Sequence, residues 1–252
     1  MTTRYLIGRA ELLTYPIEAP KKKVGDKAHP YTLGEAKRII VPEIELANSI
    51  FQELPAKACA DDLAVARLVL HPAYLAKSFF PKLLLDQVGL ASVGSRTRRI
   101  QPRRQTQKKA PPEAETTELF VAGTRAALGN FPAFARNLNE QMPVAEQFAR
   151  IETFAAMTPS DRLHLEGANI GHVFEVGLHL PPEGDASDVR AMFADYAKDC
   201  GFRVNGEFEF EAGRLLFVAV EGEAAALENL AQFTLTRVVR PMPHLRAARP
   251  VT

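Results

Sequence analysis

VFEVGLHL (Val173–Leu180) alternates apolar side chains with other residues, which is the pattern of a strand that buries one face. The stretch ASDVRAMFADYAKDCG repeats apolar side chains at helical spacing, with Asp185 placed as its N-cap and Gly201 at its end. FRVNGEFEFE and RLLFVAV predict two further strands joined by a short turn. A helix over Glu223–Phe233 and the strand LTRVVRPM complete the order β-α-β-β-α-β, which is the ferredoxin-like arrangement.

The strand FRVNGEFEFE, residues 202–211, is predicted to have one apolar face and one polar face. Strict alternation points the apolar side chains toward the helices, and these are Phe202, Val204, Phe208 and Phe210. It puts a polar set on the opposite face, namely Arg203, Asn205, Glu207 and Glu209. Paired carboxylates can perform acid–base chemistry, but a solvated strand face accounts for them more simply.

The same order of elements is predicted earlier in the chain. Its predicted strands are Leu63–Leu70, Ala91–Ile100, Glu118–Ala122 and Phe148–Ala156. Its predicted helices are Ala73–Val88, which Pro81 interrupts, and Arg125–Leu138. We therefore predict an α+β protein of two tandem ferredoxin-like units, unit 1 at residues 62–160 and unit 2 at residues 170–243.

Two further segments flank the units. The lead segment, residues 1–61, is predicted to contain a strand at Tyr5–Leu13 and a helix near Leu33–Leu54 that Pro42 should bend or split. Residues 244–252 are predicted to be an extended tail that is cut at a linker, because Pro241, Pro243 and Pro250 favour an extended course. An extended peptide that leaves a sheet is well shaped to bind in the groove of another protein.

The composition excludes several classes of protein. Lys and Arg number 31 and Asp and Glu 30, so the net charge of +1 creates no global field for nucleic acid or an anionic membrane. The two cysteines, Cys59 and Cys200, indicate neither a disulfide framework nor a zinc site. No segment has the apolar core of a signal peptide or the roughly 18 apolar residues of a membrane helix. We expect a cytoplasmic protein without a membrane partner.

Motifs that carry catalysis are missing from the sequence. It has no Gly-x-Ser-x-Gly elbow, no Gly-rich phosphate loop after a strand and no His-Glu-x-x-His. Its six histidines are not clustered at the spacing of metal ligands. We predict neither a catalytic residue nor a metal or other cofactor in this chain.

A basic run at residues 96–109 is the main feature that would suit a nucleic acid. The residues predicted to contact phosphates are Arg98, Arg99, Arg103 and Arg104. The run has no interleaved aromatic residues, and a solvated, flexible loop explains its end more simply. Nucleic-acid binding by tandem ferredoxin-like units is therefore the alternative function.

Unit 2 and the stretch RVVRPMPHLRAARPV that follows from Arg237 resemble the N-terminal region of a family of bacterial intracellular subtilisin-like serine proteases. YLIGRAELLT (Tyr5–Thr14) and HVFEVGLHLP (His172–Pro181) extend the similarity over nearly the whole chain. Members of this subtilase family are encoded beside an AAA-type ATPase in plasmid-incompatibility and phage-defence loci. The Asp, His and Ser motifs of the family would lie beyond Thr252, so no catalytic residue is carried over.

The resemblance implies a propeptide-like role, as chaperone and inhibitor of a protease domain in cis. In subtilase propeptides the ferredoxin-like sheet packs on the protease and the C-terminal tail enters the substrate cleft. The docking face would then be Arg203, Asn205, Glu207 and Glu209, whose acids suit helix N-termini of the protease. The cleft-binding tail would be Met242, Pro243, His244, Leu245 and Arg246. Unit 1 would be a sensor or docking module, with the ATPase as its partner.

Overall fold

A computed structural model describes residues 30–104, 112–165 and 171–242. This part of the chain is an α+β structure with two four-stranded antiparallel sheets. The strands are β1 Leu63–Leu70, β2 Ala91–Ile100, β3 Ala114–Thr124, β4 Ile151–Ala156, β5 Val173–His179, β6 Arg203–Ala212, β7 Leu215–Glu221 and β8 Thr236–Pro241. The α-helices are α1 Leu33–Glu53, α2 Lys82–Val88, α3 Arg125–Asn137, α4 Pro143–Ala149, α5 Pro159–Arg162, α6 Ala186–Asp199 and α7 Leu227–Leu230.

Sheet A belongs to unit 1 and has the strand order β2-β3-β1-β4. The predicted bounds of β1 and β2 are confirmed, and β3 extends beyond its predicted ends. The predicted strand Phe148–Ala156 begins only at Ile151, because its first residues complete helix α4. Pro143 at the start of that helix presets its backbone, which the strand pattern does not reveal.

A first hydrophobic core lies between sheet A and helices α1 to α4. The Phe131 ring packs edge-on against Phe148 and Phe154 at centroid distances of 6.3 and 5.6 Å. Helix α1 covers edge strand β4, where a Glu43 carboxylate oxygen accepts the Phe154 N–H at 2.8 Å. Edge strands expose unpaired backbone groups, so this contact closes one side of the sheet.

Helix α1 runs unbroken through Pro42, so a split of the helix at this proline is wrong. A capping box formed by Thr32 and Glu35 starts the helix. Pro42 removes one helical hydrogen bond, but Ile40 and Ile44 on either side are buried in the first core. Packing of these apolar neighbours outweighs the local cost of the proline. The predicted strand at Tyr5–Leu13 lies outside the described residues.

Sheet B belongs to unit 2 and has the strand order β6-β7-β5-β8. Helices α6 and α7 cover one of its faces, where Phe193 and Phe233 pack in a second hydrophobic core. The predicted helix Glu223–Phe233 is shorter than expected, with a 3-10 turn followed by the four residues of α7. After α7 the chain continues in tight turns, with the Gln232 N–H on the Asn229 carbonyl oxygen and the Phe233 N–H on that of Leu230. The buried Arg162 side chain donates to the carbonyl oxygens of Ala231 and Thr234 in this segment.

The second core extends from unit 2 into unit 1. Val65, Val93, Phe120 and Ala122 of sheet A belong to the same buried cluster as the core of sheet B. The Arg237 guanidinium of β8 lies 3.8 Å from the centre of the Phe120 ring. The face of sheet A that is opposite its helices therefore packs partly against unit 2.

No helix within the described residues combines the length and apolar character that crossing a bilayer requires.

Arg162→Ala should lower the free energy of unfolding by about 3 kcal/mol, since two buried carbonyl oxygens would lose their donor. Urea denaturation followed by circular dichroism measures the change. Arg190→Ala is the matched control, because its ion pair with Glu209 is exposed and should contribute less than about 1 kcal/mol. Equal losses in the two variants would show that the Arg162 contacts do not hold the units together.

Candidate functional site

Strand β6 contains a bulge of three residues. Asn205 pairs with Ala219 of β7, and the next pair joins Glu209 to Val218, so residues 206–208 have no counterpart in β7. The Asn205 side chain accepts the Glu207 N–H at 3.0 Å and stabilises this local turn. A bulge changes which face the following side chains point to.

The bulge separates the predicted docking residues. Arg203 and Asn205 pair with Glu221 and Ala219, on the face of sheet B opposite its helices. Glu209 points to the helix side, where its carboxylate lies 3.0 Å from the Arg190 guanidinium of α6. The prediction that Arg203, Asn205, Glu207 and Glu209 share one face is therefore wrong.

The same bulge exposes two aromatic side chains that alternation predicts to be buried. Phe208 and Phe210 are 57% and 53% exposed. Phe210 pairs with Phe217 across the hairpin, and the two rings stack at a centroid distance of 4.8 Å. Phe208, Phe210 and Phe217 together form an exposed feature that we call the aromatic patch. In the sequence, Asn205 and Gly206 could have indicated this bulge, because glycine within a strand often marks one.

The chain leaves sheet B beside the aromatic patch. The Met242 N–H donates to the Val173 carbonyl oxygen at 3.1 Å, directly after β8. Met242 also lines a shallow cavity of about 220 Å³ together with Phe208 and Phe210. The other predicted tail residues, Pro243, His244, Leu245 and Arg246, lie outside the described residues.

Charged residues surround the open part of this sheet face. The Glu175 carboxylate is 4% exposed and is paired with Arg240, and Arg203 is paired with Glu221. The predicted residue Glu207 is exposed and forms no ion pair within the described residues. The surface around the aromatic patch therefore combines apolar rings with two ion pairs and the unpaired carboxylate of Glu207.

Four of the five described arginines in the basic run contact acids that are distant in sequence. Arg96 and Arg98 belong to β2, and both form ion pairs with Glu118, whose side chain is fully buried. Arg103 is paired with Glu43, and Arg104 with Glu35 at 2.5 Å. Three of the four predicted phosphate-binding residues are therefore in contact with carboxylates, namely Arg98, Arg103 and Arg104.

Arg99 differs from its neighbours in the run. Its side chain is 72% exposed, and the nearest carboxylate, that of Glu113, is 3.9 Å away. The structure thus does not bring the four predicted residues together as one free cationic surface. The remainder of the run, at residues 105–109, lies outside the described residues.

A histidine is buried where the two sheets meet. His179 donates from Nδ1 to the Val93 carbonyl oxygen at 3.3 Å, and its ring lies 5.3 Å from the Phe120 ring. Burial lowers the pKa of His179 to about 3, and the nearby Arg237 guanidinium contributes in the same direction. The imidazole is therefore neutral at physiological pH and acts as a structural contact between the units.

No group of three or more His, Cys, Asp or Glu side chains is arranged to hold a metal ion in the part of the chain that the structure describes.

Comparisons with protein-family models, with curated proteins and with solved structures each gave no match.

Glu118→Gln should lower the free energy of unfolding by about 2 kcal/mol, because a buried carboxylate that accepts from two guanidinium groups is lost. Glu113→Gln is the matched control, since its carboxylate is exposed and should matter by less than about 0.5 kcal/mol. Chemical denaturation of both variants tests the difference. A Glu118 variant as stable as the control would show that these arginines are free for other partners.

Acid should destabilise the protein through His179. Its pKa rises from about 3 when folded to roughly 6.5 when unfolded, so the unfolded chain binds a proton that the folded chain does not. This contribution is complete above pH 6.5 and is lost as the pH falls toward 3, with a slope of up to about 1 kcal/mol per pH unit. Urea denaturation between pH 4 and pH 7 measures the slope.

His179→Gln should remove this part of the pH dependence. His172→Gln should keep it, because His172 is exposed. The same slope in wild type and in His179→Gln would refute the assignment.

Proposed function

We propose that this chain is the chaperone and inhibitory region of a subtilisin-like serine protease, with unit 2 as the propeptide-like part. The observation that carries the proposal is the position of the aromatic patch beside the point where the chain leaves sheet B. A propeptide needs this arrangement, because its sheet face packs on the protease and the peptide that follows the sheet enters the protease cleft. The resemblance of the sequence to the subtilase family supports the same role.

The sheet topology supports this proposal. Numbered within each unit, both sheets have the strand order 2-3-1-4, and two helical segments connect strands in the order β-α-β-β-α-β. This is the order that a ferredoxin-like unit requires. Fold alone does not decide function, so the proposed inhibitory role depends mainly on the exposed surface of unit 2.

The aromatic patch has the composition of a protein-binding surface. Interfaces are enriched in aromatic side chains at their centre, and such residues often carry most of the binding energy. Phe208 and Phe210 would supply about 1.5 to 3 kcal/mol each if they were buried by a partner. Glu207, which lines the cavity beside the patch, is exposed and would suit the positive N-terminus of a protease helix.

The neutralised arginines weigh against the alternative of nucleic-acid binding. A phosphate would have to replace Glu118, Glu43 or Glu35 as the partner of these guanidinium groups. Replacement would leave Glu43 or Glu35 without its arginine, and the fully buried Glu118 would keep only one of its two guanidinium partners. Contact between unit 1 and an AAA-type ATPase remains a proposal that rests on the resemblance alone.

A cytoplasmic location is also part of the proposal. Cys59 and Cys200 are both free thiols, which suits a reducing compartment.

The purified chain should inhibit the subtilisin-like protease domain that the proposal expects in the same reading frame after Thr252. Hydrolysis of a chromogenic peptide measures inhibition, which we expect at roughly nanomolar to micromolar concentrations. The same chain added during refolding should raise the yield of active protease. Deletion of residues 242–252 should weaken inhibition by about tenfold or more, since the cleft-binding segment is lost.

Phe208→Ser combined with Phe210→Ser should weaken inhibition by about ten- to a hundredfold. Leu46→Ser is the matched control, because Leu46 is an apolar residue of helix α1, outside unit 2, that is 65% exposed, and it should change inhibition by less than about twofold. A stop codon directly after Thr252, or no effect of the chain on the protease's refolding and activity, would overturn the proposal.

A further inference from the structure

A cavity of about 560 Å³ lies between the two units, away from the aromatic patch. Unit 1 contributes the end of α2, the start of β2 and the end of β3, and unit 2 contributes the loop after β5 and the first turns of α6. Sites for small molecules have volumes of about 300–1,000 Å³ and often lie between structural units. The size and position of this cavity are therefore those of a ligand site.

The floor of the cavity is apolar. Leu90 of unit 1 and Val189 and Leu235 of unit 2 are buried beneath it, and the Met192 side chain is half-buried at its wall. A thioether adapts its shape to irregular apolar partners, so Met192 can close on ligands of different outline. The floor would bind a hydrocarbon or aromatic group.

The border of the cavity carries carboxylates without cations. Four acidic residues line the opening, which are Asp61, Asp86, Glu183 and Asp188. All four are exposed and none forms an ion pair within the described residues. Among the residues that the structure describes, no lysine, arginine or histidine lines the cavity.

Neighbouring acids are satisfied in other ways. Asp62 is paired with Arg125 at 2.5 Å, and Asp185 caps helix α6 by accepting the Ser187 N–H at 2.9 Å. The four border carboxylates are thus a distinct set, left facing the opening of an apolar cavity. Carboxylates that surround one space repel each other, and a cation placed among them would relieve that repulsion.

We infer that this cavity is a binding site for a small organic cation, with a protonated amine held among the carboxylates and an apolar body on the floor. A metal ion does not suit the site, because Ca²⁺ and Mg²⁺ need several converging oxygen ligands, and the described residues offer no such cluster. An anion would be repelled by the border. A ligand here contacts both units and would stabilise their packing.

The test uses the whole chain, labelled with ¹³C, and phenethylamine as the probe. Methyl signals of Leu90, Val189, Met192 and Leu235 are followed by NMR during the titration. We expect saturable shifts of these signals. Phenethyl alcohol has the same body without the charge and should bind at least about fivefold more weakly, and 3-phenylpropanoate should not bind.

Two variants separate the roles of the border and the floor. Asp86→Asn combined with Asp188→Asn should weaken phenethylamine binding about fivefold or more and leave the affinity for phenethyl alcohol unchanged. Met192→Trp should fill the cavity and abolish binding of both compounds. Glu211→Gln is the control, since this exposed carboxylate lies on β6, outside the cavity.

Three results would overturn the inference. Equal affinity for the amine and the alcohol would show that the carboxylates take no part. Binding of spermidine without shifts of the floor methyl groups would show only a solvated acidic border. Binding of arginine-containing peptides but not of phenethylamine would make the cavity a protein-docking site. None of these results depends on a protease, so the two proposals stand or fail separately.

Discussion

Strand β3 belongs to two hydrophobic cores at once, and the rest of the structure depends on this constraint. Leu119 and Val121 face the first core under the helices of unit 1, while Phe120 and Ala122 face the second core that unit 2 completes. A strand buried on both faces holds its two neighbouring layers in a fixed relation. The tandem units therefore form one packed body around β3 within the described residues.

Burial on both sides also determines where charge is tolerated. Glu118 precedes the double-faced stretch and is fully buried, so it needs the guanidinium groups of Arg96 and Arg98. Arg162 forms no ion pair within the described residues and donates instead to two backbone carbonyl oxygens, and burial lowers its pKa to about 10. It remains charged at neutral pH. Arg96 and Arg98 therefore bind a carboxylate inside the protein, whereas the sequence alone suggests that they are available to an external partner.

Much of the fold could be predicted because its signals are local. The apolar run of β1 and the spacing of α6 identify those elements to within a residue. Their pairing into two antiparallel sheets follows from the repeated order of elements. The segment around the short α7 was harder to predict, because it is held by Arg162, some 70 residues earlier, which donates to the carbonyl oxygens of Ala231 and Thr234.

The candidate site was harder to predict, since it depends on departures from regular structure and on distant partners. Regular alternation in β6 predicted a polar face, and the three-residue bulge after Asn205 produced an aromatic one. The acids that neutralise the basic run come from α1 and β3, at separations that no local pattern reports. The cavity between the units likewise combines segments that are remote in sequence.

The bulge in β6 has a further consequence for solubility. An edge strand that exposes aromatic rings is a template on which other chains can add strands and grow into fibrils. At residues 206–208 the backbone of β6 departs from the regular ladder, so an added strand would lose its register after a few hydrogen bonds. Glu207, Glu209 and Glu211 alternate with the two exposed rings and repel a second copy. The strand can therefore present Phe208 and Phe210 to a partner while resisting aggregation.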